Sequence, residues 1–257
     1  MKIVLFGATG NIGGEILSQA IAHKYIEHIY CITRKPLDRK YFDKKSKGKV
    51  TELVNDNFLE YPDTITRYLV EEGVDGCVWA LGSKLSPDPK KRDEEEKVRI
   101  SYPVAAAEAF AKKLATQLSP QLMPKKKFPF RFVFISASGA EQDQFRTLWV
   151  YSDWRKMKGA AEKAIFEVAD GSEMIQGHKC FEAIALRPGQ VIARQHGPNG
   201  EYTGTLLYEA TITSIAVDRL AKSALKTVLM GTGDEKKRIL ENKECLGDDW
   251  AAINTLH

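Results

Sequence analysis

Short apolar segments alternate along this chain with longer segments in which apolar residues recur every three or four positions. The short segments predict buried strands, and the longer ones predict amphipathic helices. The predicted strands are residues 2–6, 28–33, 50–54, 76–80, 131–136 and 181–186. The predicted helices between them are residues 11–23, 62–72, 98–115 and 152–169. This alternation is typical of right-handed βαβ units, which form a parallel sheet with helices on both faces.

The hydrophobic pattern also indicates how the chain is organised. Near-continuous apolar strands, such as residues 132–135, suit a sheet that is buried on both sides. After residue 189 the alternation weakens, although residues 217–229 still predict a helix. We therefore predict an α/β fold of the Rossmann type, a doubly wound parallel sheet in a single domain over residues 1–257. Residues 1–189 would form its core, and residues 190–257 a small C-terminal elaboration on the substrate side.

Three regularly spaced glycines mark the junction between the first strand and the first helix. In dinucleotide-binding proteins such glycines allow a sharp turn, a close approach of the backbone to a pyrophosphate, and tight helix–strand packing. The free N–H groups at the start of the helix then bind phosphate. Strand, motif and helix in this order favour a dinucleotide site over an ordinary strand-to-helix turn. The predicted cofactor contacts are Gly7, Thr9, Gly10, Asn11, Ile12 and Gly13.

The end of the second predicted strand favours NADP over NAD. An acidic residue at this place binds the ribose 2′-hydroxyl of NAD, whereas an arginine accommodates the 2′-phosphate of NADP. This chain has Arg34 and Lys35 there, without a carboxylate. Arg34 can pair with a phosphate through two donors. The alternative is that both residues are solvated loop cations.

Two further strand ends carry weaker candidates for cofactor contacts. Asp56 and Asn57 follow the third strand, where a short polar side chain could bind the adenine, although such residues also form turns. Ala80, Leu81 and Gly82 follow the fourth strand, where small residues let the backbone pass near the central sugars and phosphates. Gly82 could equally serve only to end the strand.

Composition and charge narrow the classes of partner. The net charge of +4 is mild and no recognised nucleic-acid module accompanies the basic clusters, so we expect a small-molecule substrate and no nucleic acid. No uncharged run is long enough to span a bilayer. The four cysteines are far apart and, like the five histidines, lack metal-site spacing, which favours a cytoplasmic protein without a metal. A homodimer is an expectation from fold analogy alone.

Seven sequence blocks occur in the order found in a known family. They are residues 7–13 (GATGNIG), Arg34, and residues 80–82 (ALG), 136–140 (SASGA), 156–162 (KMKGAAE), 186–189 (LRPG) and 240–244 (LENKE). With these blocks the chain resembles the atypical short-chain dehydrogenase/reductases over essentially its whole length. The resemblance is greatest to the group that contains Tat-interacting and NmrA-like proteins and their fungal relatives.

This resemblance implies NADP(H) binding and hydride transfer to or from a carbonyl. The wider superfamily uses a tyrosine four residues before a lysine on one helix face, together with a serine after the fifth strand. The matching lysine is Lys158, and the serine is Ser136 or Ser138. The resemblance also implies that Pro188 lies on the cofactor side.

The tyrosine of that pair is missing from the expected position. Trp154 stands four residues before Lys158, and an indole N–H can donate a hydrogen bond but cannot exchange a proton near neutral pH. Tyr151, two helical turns before Lys158, could substitute if the helix begins early enough. The alternative is that Tyr151 is a partly buried amphipathic residue of the preceding loop.

Three functions are consistent with these residues. The first is an NADP(H)-dependent oxidoreductase of the atypical short-chain type acting on a small carbonyl or alcohol, with NAD as the less favoured cofactor. Its candidate catalytic residues are Lys158, Ser136, Ser138 and Tyr151. The second is a catalytically impaired NADP(H)-binding sensor or scaffold, which Trp154 favours. The third is a sugar-nucleotide epimerase-like enzyme, which shares the fold but also requires the tyrosine.

Overall fold

The computed structural model describes residues 1–37, 46, 48–82, 88–116, 129–175, 177–193, 195–196, 202–203, 214–234 and 236–247. The strands are β1 (Lys2–Phe6), β2 (His28–Thr33), β3 (Val50–Val54), β4 (Gly76–Trp79), β5 (Phe130–Ile135), β6 (Met174–Ile175), β7 (His178–Lys179), β8 (Phe181–Arg187), β9 (Gln190–Ile192), β10 (Gln195–His196), β11 (Tyr202–Thr203), β12 (Ser214–Ala216) and β13 (Ile239–Glu241). The α-helices are α1 (Asn11–Ala22), α2 (Asp63–Glu71), α3 (Arg92–Glu96), α4 (Tyr102–Phe110), α5 (Ser152–Asp170), α6 (Val217–Met230) and α7 (Asn242–Cys245). A 3-10 turn (Pro89–Lys91) precedes α3, and wider π-helical turns at Lys97–Ser101 and Ala111–Ala115 flank α4.

Seven strands form one parallel sheet in the order β13-β8-β5-β4-β1-β2-β3. The chain runs outward from β1 to β3 on one side and from β4 to β13 on the other. The strand order therefore reverses between β1 and β4, and α/β sheets bind ligands outside the carboxyl ends of their strands at such a point. The two strand ends lie close together here, because the N–H of Ala80 donates to the carbonyl of Phe6 at 3.2 Å.

Helices cover both faces of this sheet because successive strand residues point to opposite sides. Val4 and Phe6 of β1 belong to an aromatic-rich core that also takes residues from α2, α4 and α5. Ile3 and Leu5 belong to an aliphatic core that is completed by α1 and α6. This arrangement confirms the predicted doubly wound Rossmann-type fold.

The six predicted strands and the predicted helices are all present, with end points that coincide or differ by up to five residues. The structure adds β13, a three-residue strand that pairs in parallel with β8. A segment this short carries no hydrophobic period, so the hydrophobic pattern does not reveal it.

Helix α6 packs against α1. Strand β13 and helix α6, which both lie within residues 190–257, therefore join the same sheet and core. The division at residue 189 stays a prediction. None of the helices within the described ranges is long and apolar enough to cross a membrane.

Candidate functional site at the carboxyl edge of the sheet

The glycine loop between β1 and α1 is a cradle of closely packed backbone. Gly7 has φ +79°, and a Cβ added to it would lie 2.7 Å from the carbonyl carbon of Ala80. A Cβ on Gly13 would lie 2.0 Å from the carbonyl oxygen of Gly7. At Gly10 the corresponding distance to that same oxygen is 3.3 Å. The structure thus requires glycine at both ends of the motif, in agreement with the close packing that the spacing predicts.

The start of α1 leaves its backbone N–H groups available to an anion. Gly10 is the N-cap and supplies no side-chain hydrogen bond, and the first turn has no acidic residue. Thr9, Gly10 and Asn11 are exposed, and Ile12 is half-buried. Uncapped N–H groups at a helix N-terminus, together with the helix dipole, favour phosphate. The diphosphate of a dinucleotide therefore fits this loop.

The turn after β2 presents two exposed cations, Arg34 and Lys35. It is held by Glu52 of β3, whose Oε1 accepts hydrogen bonds from the N–H of Leu37 at 2.8 Å and from Oγ1 of Thr33 at 3.4 Å. Sequence analysis did not identify Glu52. Its position directly beside the turn follows from the pairing of β2 with β3.

The candidates after β3 and β4 differ in their surroundings. Asp56 is exposed, whereas the Oδ1 of Asn57 accepts the N–H of Leu59 at 3.1 Å and so stabilises a turn. Ala80 and Leu81 are half-buried beside the glycine loop. Gly82 is exposed, and an added Cβ would meet no atom within 4 Å.

Lys158 on α5 is buried beneath the carboxyl end of β5. Its Nζ donates to the carbonyl oxygen of Ile135 at 3.0 Å and lies 4.9 Å from the centre of the Phe134 ring. Burial, the larger cause, and the nearby charge of Arg99 together lower the pKa of Lys158 from 10.5 to about 8, against the opposing charge of Glu162. Lys158 is therefore a cation that loses its proton close to neutral pH.

The two candidate serines have different environments. Ser136 directly follows Ile135, the residue whose carbonyl holds Lys158, and it is 5% exposed. Its Oγ is buried without a hydrogen-bond partner, which is an unusual state for a buried hydroxyl. Ser138 is exposed, and its backbone N–H donates to the carbonyl of Pro188 at 2.7 Å. The loop after β5 is thus tied to the loop after β8.

The structure separates Tyr151 from the helix that carries Lys158. Helix α5 begins at Ser152, and Tyr151 is its N-cap in the left-handed conformation, with φ 52° and ψ 36°. The side chain of Tyr151 is 74% exposed. Trp154 is half-buried in the first turn of α5, four residues before Lys158.

Comparison with solved structures adds the fold family. No protein-family model matches this chain, and no curated protein matches its sequence. A short-chain dehydrogenase/reductase from Saccharomyces cerevisiae aligns with a TM-score of 0.65 at 16% identity, over 98% of each chain. The carbonyl reductase Sniffer of D. melanogaster aligns with a TM-score of 0.68 at 13% identity, over 94% of this chain and 96% of Sniffer. The protein has the short-chain dehydrogenase/reductase fold.

A third structure carries a nucleotide. Gre2 from Candida albicans, solved in complex with NADPH, aligns with a TM-score of 0.63 at 13% identity, over 94% of this chain and 77% of Gre2. At these identities the likeness establishes the fold alone. The predicted short-chain dehydrogenase/reductase type is confirmed at that level, and the atypical subgroup stays a prediction.

Several residues near this edge of the sheet belong to the sequence blocks given above but had no predicted role. Glu162 is fully buried and accepts two hydrogen bonds from Arg187 of β8, at 2.6 and 2.9 Å, and one from Nε2 of Gln142 at 3.0 Å. Gly159 allows the loop at Glu141 to lie on α5, because an added Cβ would lie 1.8 Å from the Glu141 carbonyl oxygen. The lysine-glycine-x-x-glutamate and arginine-proline-glycine blocks are therefore two halves of one buried contact.

Arg99 also escaped the sequence analysis. It lies on the π-helical turn at Lys97–Ser101, which packs against α5, and it is 3% exposed. Burial lowers the pKa of Arg99, and the charge of Glu95 raises it. π-helical turns often occur at functional sites, so this turn is a structural feature that marks Arg99 as a candidate. Hydrophobic periodicity does not reveal such a turn.

Proposed function

We propose that this protein is an NADPH-dependent oxidoreductase that interconverts a small carbonyl compound and its alcohol. The observation that carries the proposal is the pairing of two features on one edge of the sheet. One is the uncapped glycine loop at the end of β1, and the other is the buried Lys158 at the end of β5. The first suits a dinucleotide diphosphate, and the second suits the reacting end of the same cofactor.

The residues that would hold the cofactor follow from this placement. The N–H groups at Asn11, Ile12 and Gly13 would bind the diphosphate, and Lys158 would bind the ribose next to the nicotinamide. Ala80 and Leu81 would border the central sugars. The cofactor supplies a hydride when it is bound in its reduced form. The solved structures support this assignment, since one of them is an NADPH complex and another is a carbonyl reductase.

The preference for NADP rests on Arg34. Its exposed guanidinium lies in a turn that Glu52 fixes, at the place where the 2′-phosphate of the adenosine would bind. Lys35 would add positive charge beside it. A planar guanidinium can bind a phosphate through two parallel hydrogen bonds, which makes Arg34 the main determinant.

The substrate side would use Ser136. Its buried hydroxyl has no partner and can donate a hydrogen bond to the carbonyl oxygen of a substrate. Ser138 would hold the loop through its backbone. The loop before α5 carries exposed apolar side chains, including Phe145 and Trp149. Aromatic carbonyl compounds therefore belong in a substrate panel.

A second function, an NADP(H)-binding sensor without turnover, is favoured by one observation. Trp154 occupies the tyrosine position and Tyr151 points into solvent, so neither side chain is available as the usual proton donor. Such a protein would bind NADPH tightly and consume none of it with any carbonyl compound. Steady turnover by the wild-type protein excludes this second function.

The experiment is a fluorescence titration of the purified protein with NADPH and NADH, followed by a turnover assay on aliphatic and aromatic carbonyls. We expect wild type to bind NADPH more tightly than NADH, and Arg34→Ala to weaken NADPH binding about 10- to 100-fold. Lys24→Ala is the matched control, because Lys24 is an exposed cation beyond the other end of α1. Equal weakening in both variants, or no binding of either nucleotide, contradicts the proposal.

A further inference from the structure

We propose that Lys158 itself, rather than a tyrosine, donates the proton to the substrate oxygen, with the Ser136 hydroxyl as the group through which it passes. This inference rests on the proposed oxidoreductase function and assigns its general acid. Lys158 keeps the ribose contact of the proposed function, but the resemblance implies that this lysine otherwise only adjusts the pKa of a tyrosine. Here the lysine exchanges the proton.

The first argument is that neither Trp154 nor Tyr151, the two candidates on or beside α5 in the described structure, can act as the acid at this place. The indole of Trp154 has a donor N–H but cannot release its proton near neutral pH. Tyr151 precedes α5 in the left-handed conformation with its side chain largely in solvent. A carbonyl that accepts a hydride still requires a proton, so another group must provide it.

The second argument is the geometry around the ammonium group. An ammonium has three donor hydrogens, and Ile135 accepts from Nζ at 3.0 Å. The next residue after Ile135 is Ser136, whose buried Oγ has no partner. Oγ makes no hydrogen bond to Nζ in this structure. A serine hydroxyl can accept one hydrogen bond while it donates another, so Ser136 would connect Nζ to a substrate oxygen once its side chain turns towards Nζ.

The third argument concerns the charged groups that face Lys158. Arg99 approaches from the π-helical turn and disfavours the ammonium form, whereas Glu162 on α5 favours it. Glu162 is already engaged by Arg187, which limits how strongly it stabilises Lys158. Burial and Arg99 prevail and bring the pKa of Lys158 to about 8. A general acid works best when its pKa lies near the working pH.

The proposed step conserves atoms and charge. One N–H bond of the Lys158 ammonium breaks, and one O–H bond forms on the substrate oxygen, with Ser136 receiving one proton and releasing another. The carbonyl carbon accepts the hydride from bound NADPH, which yields an alcohol and NADP⁺. The neutral Lys158 amine then regains a proton from water.

The direct test is a pH titration of the Lys158 side chain by NMR in ¹³C-lysine-labelled protein saturated with NADPH. The signal is assigned by its loss in Lys158→Arg. We expect a midpoint near pH 8 in wild type and a rise of about one pH unit in Arg99→Gln, since a neighbouring like charge is removed. Arg99→Lys keeps the charge and should leave the midpoint near the wild-type value. A wild-type midpoint above pH 10 overturns the inference.

The second readout is the pH profile of kcat for reduction of a carbonyl that the wild type turns over. Because the acid must be protonated, kcat should fall as the pH rises above 8, and this limb should move upward in Arg99→Gln. Lys158→Arg should lower kcat about 10²- to 10⁴-fold while KM changes less, and Lys163→Arg on the exposed side of α5 is the matched control.

The two proposals can fail separately. If wild-type protein reduces no carbonyl in the panel, the proposed function is wrong and the inference is wrong with it. If the wild type turns over substrate but Lys158→Arg retains full kcat, or the basic limb is absent or does not move in Arg99→Gln, only the inference is wrong.

Discussion

The glycine loop after β1 and the buried group of Lys158, Glu162 and Arg187, here called the lysine cluster, lie on the same edge of one sheet. The loop is formed by backbone groups, whereas the cluster is formed by charged side chains. The loop offers backbone N–H groups, and its residues 9–11 are exposed. The lysine cluster is built from buried side chains whose charges depend on one another, since Lys158 is faced by Glu162 and Glu162 is bound by Arg187. The loop depends on space at its glycines, whereas the cluster depends on partners from distant segments of the chain.

This difference predicts how each region responds to substitution. A single added methyl group should disable the loop, because the neighbouring atoms are backbone and cannot move aside cheaply. Changes of charge should matter far more in the cluster, because a buried charge without its partner is costly. The four changes below test this contrast, from the largest expected effect to the smallest.

Gly13→Ala should have the largest effect. Its Cβ would lie 2.0 Å from the Gly7 carbonyl oxygen and 2.5 Å from the Gly7 carbonyl carbon. We expect a loss of about 4 kcal/mol or more in the free energy of unfolding and no measurable NADPH binding. Chemical denaturation and cofactor titration measure both quantities. Gly14→Ala is the control, since its Cβ would approach Ala8 no closer than 3.4 Å. Equal losses of stability and of NADPH binding in the two variants would contradict the requirement for glycine at position 13.

Gly159→Ala tests whether the cluster has a steric requirement of its own. Its Cβ would lie 1.8 Å from the Glu141 carbonyl oxygen, so the loop that brings Gln142 to Glu162 must shift. We expect a loss of about 3 kcal/mol in the free energy of unfolding, since the loop must shift to relieve this clash. Gly171→Ala, at the other end of the same helix, should be neutral or stabilising by about 0.5 kcal/mol.

Glu162→Gln tests the buried ion pair by removing charge and keeping shape. Among the described residues, the change leaves Arg187 with the more exposed Glu241 as its ionic partner, and breaking a buried pair costs about 3 kcal/mol. Asp170→Asn removes the carboxylate from the exposed pair with Arg238 and should cost less than about 1 kcal/mol. Urea denaturation of the two variants compares them directly, and similar costs would refute the distinction.

Lys158→Met tests the cost of burying the ammonium group. The folded pKa of Lys158 is about 8, lowered from 10.5, so the unfolded chain binds the proton more strongly between these values. The charged form therefore destabilises the fold below pH 8, and this penalty decreases as the pH rises towards 10.5. The stability of Lys158→Met relative to wild type should fall by about 2 kcal/mol between pH 7 and pH 10. A pH-independent difference would show that Lys158 is not desolvated.

The fold and the loop were largely predictable from the sequence because both depend on local patterns. Strand and helix periods determined the sheet, and the glycine spacing located the turn at Gly7 and Gly13. The environment of Ser136 was not predictable, since Ser136 and Ser138, two residues apart at a strand exit, look alike until the backbone direction is known. The conformation of Tyr151 was not predictable from the sequence either, because the loop before α5 determines that the helix begins one residue later, at Ser152.

By itself the sequence determined the order of elements, the backbone cradle and the presence of a lysine without its tyrosine. Only the tertiary structure decided that Arg99 faces Lys158 and that Glu162 binds Arg187, 25 residues further along the chain. Local patterns record which face of a strand or helix is apolar. The pKa of a buried group depends instead on charges that approach from other elements, and folding alone brings them together.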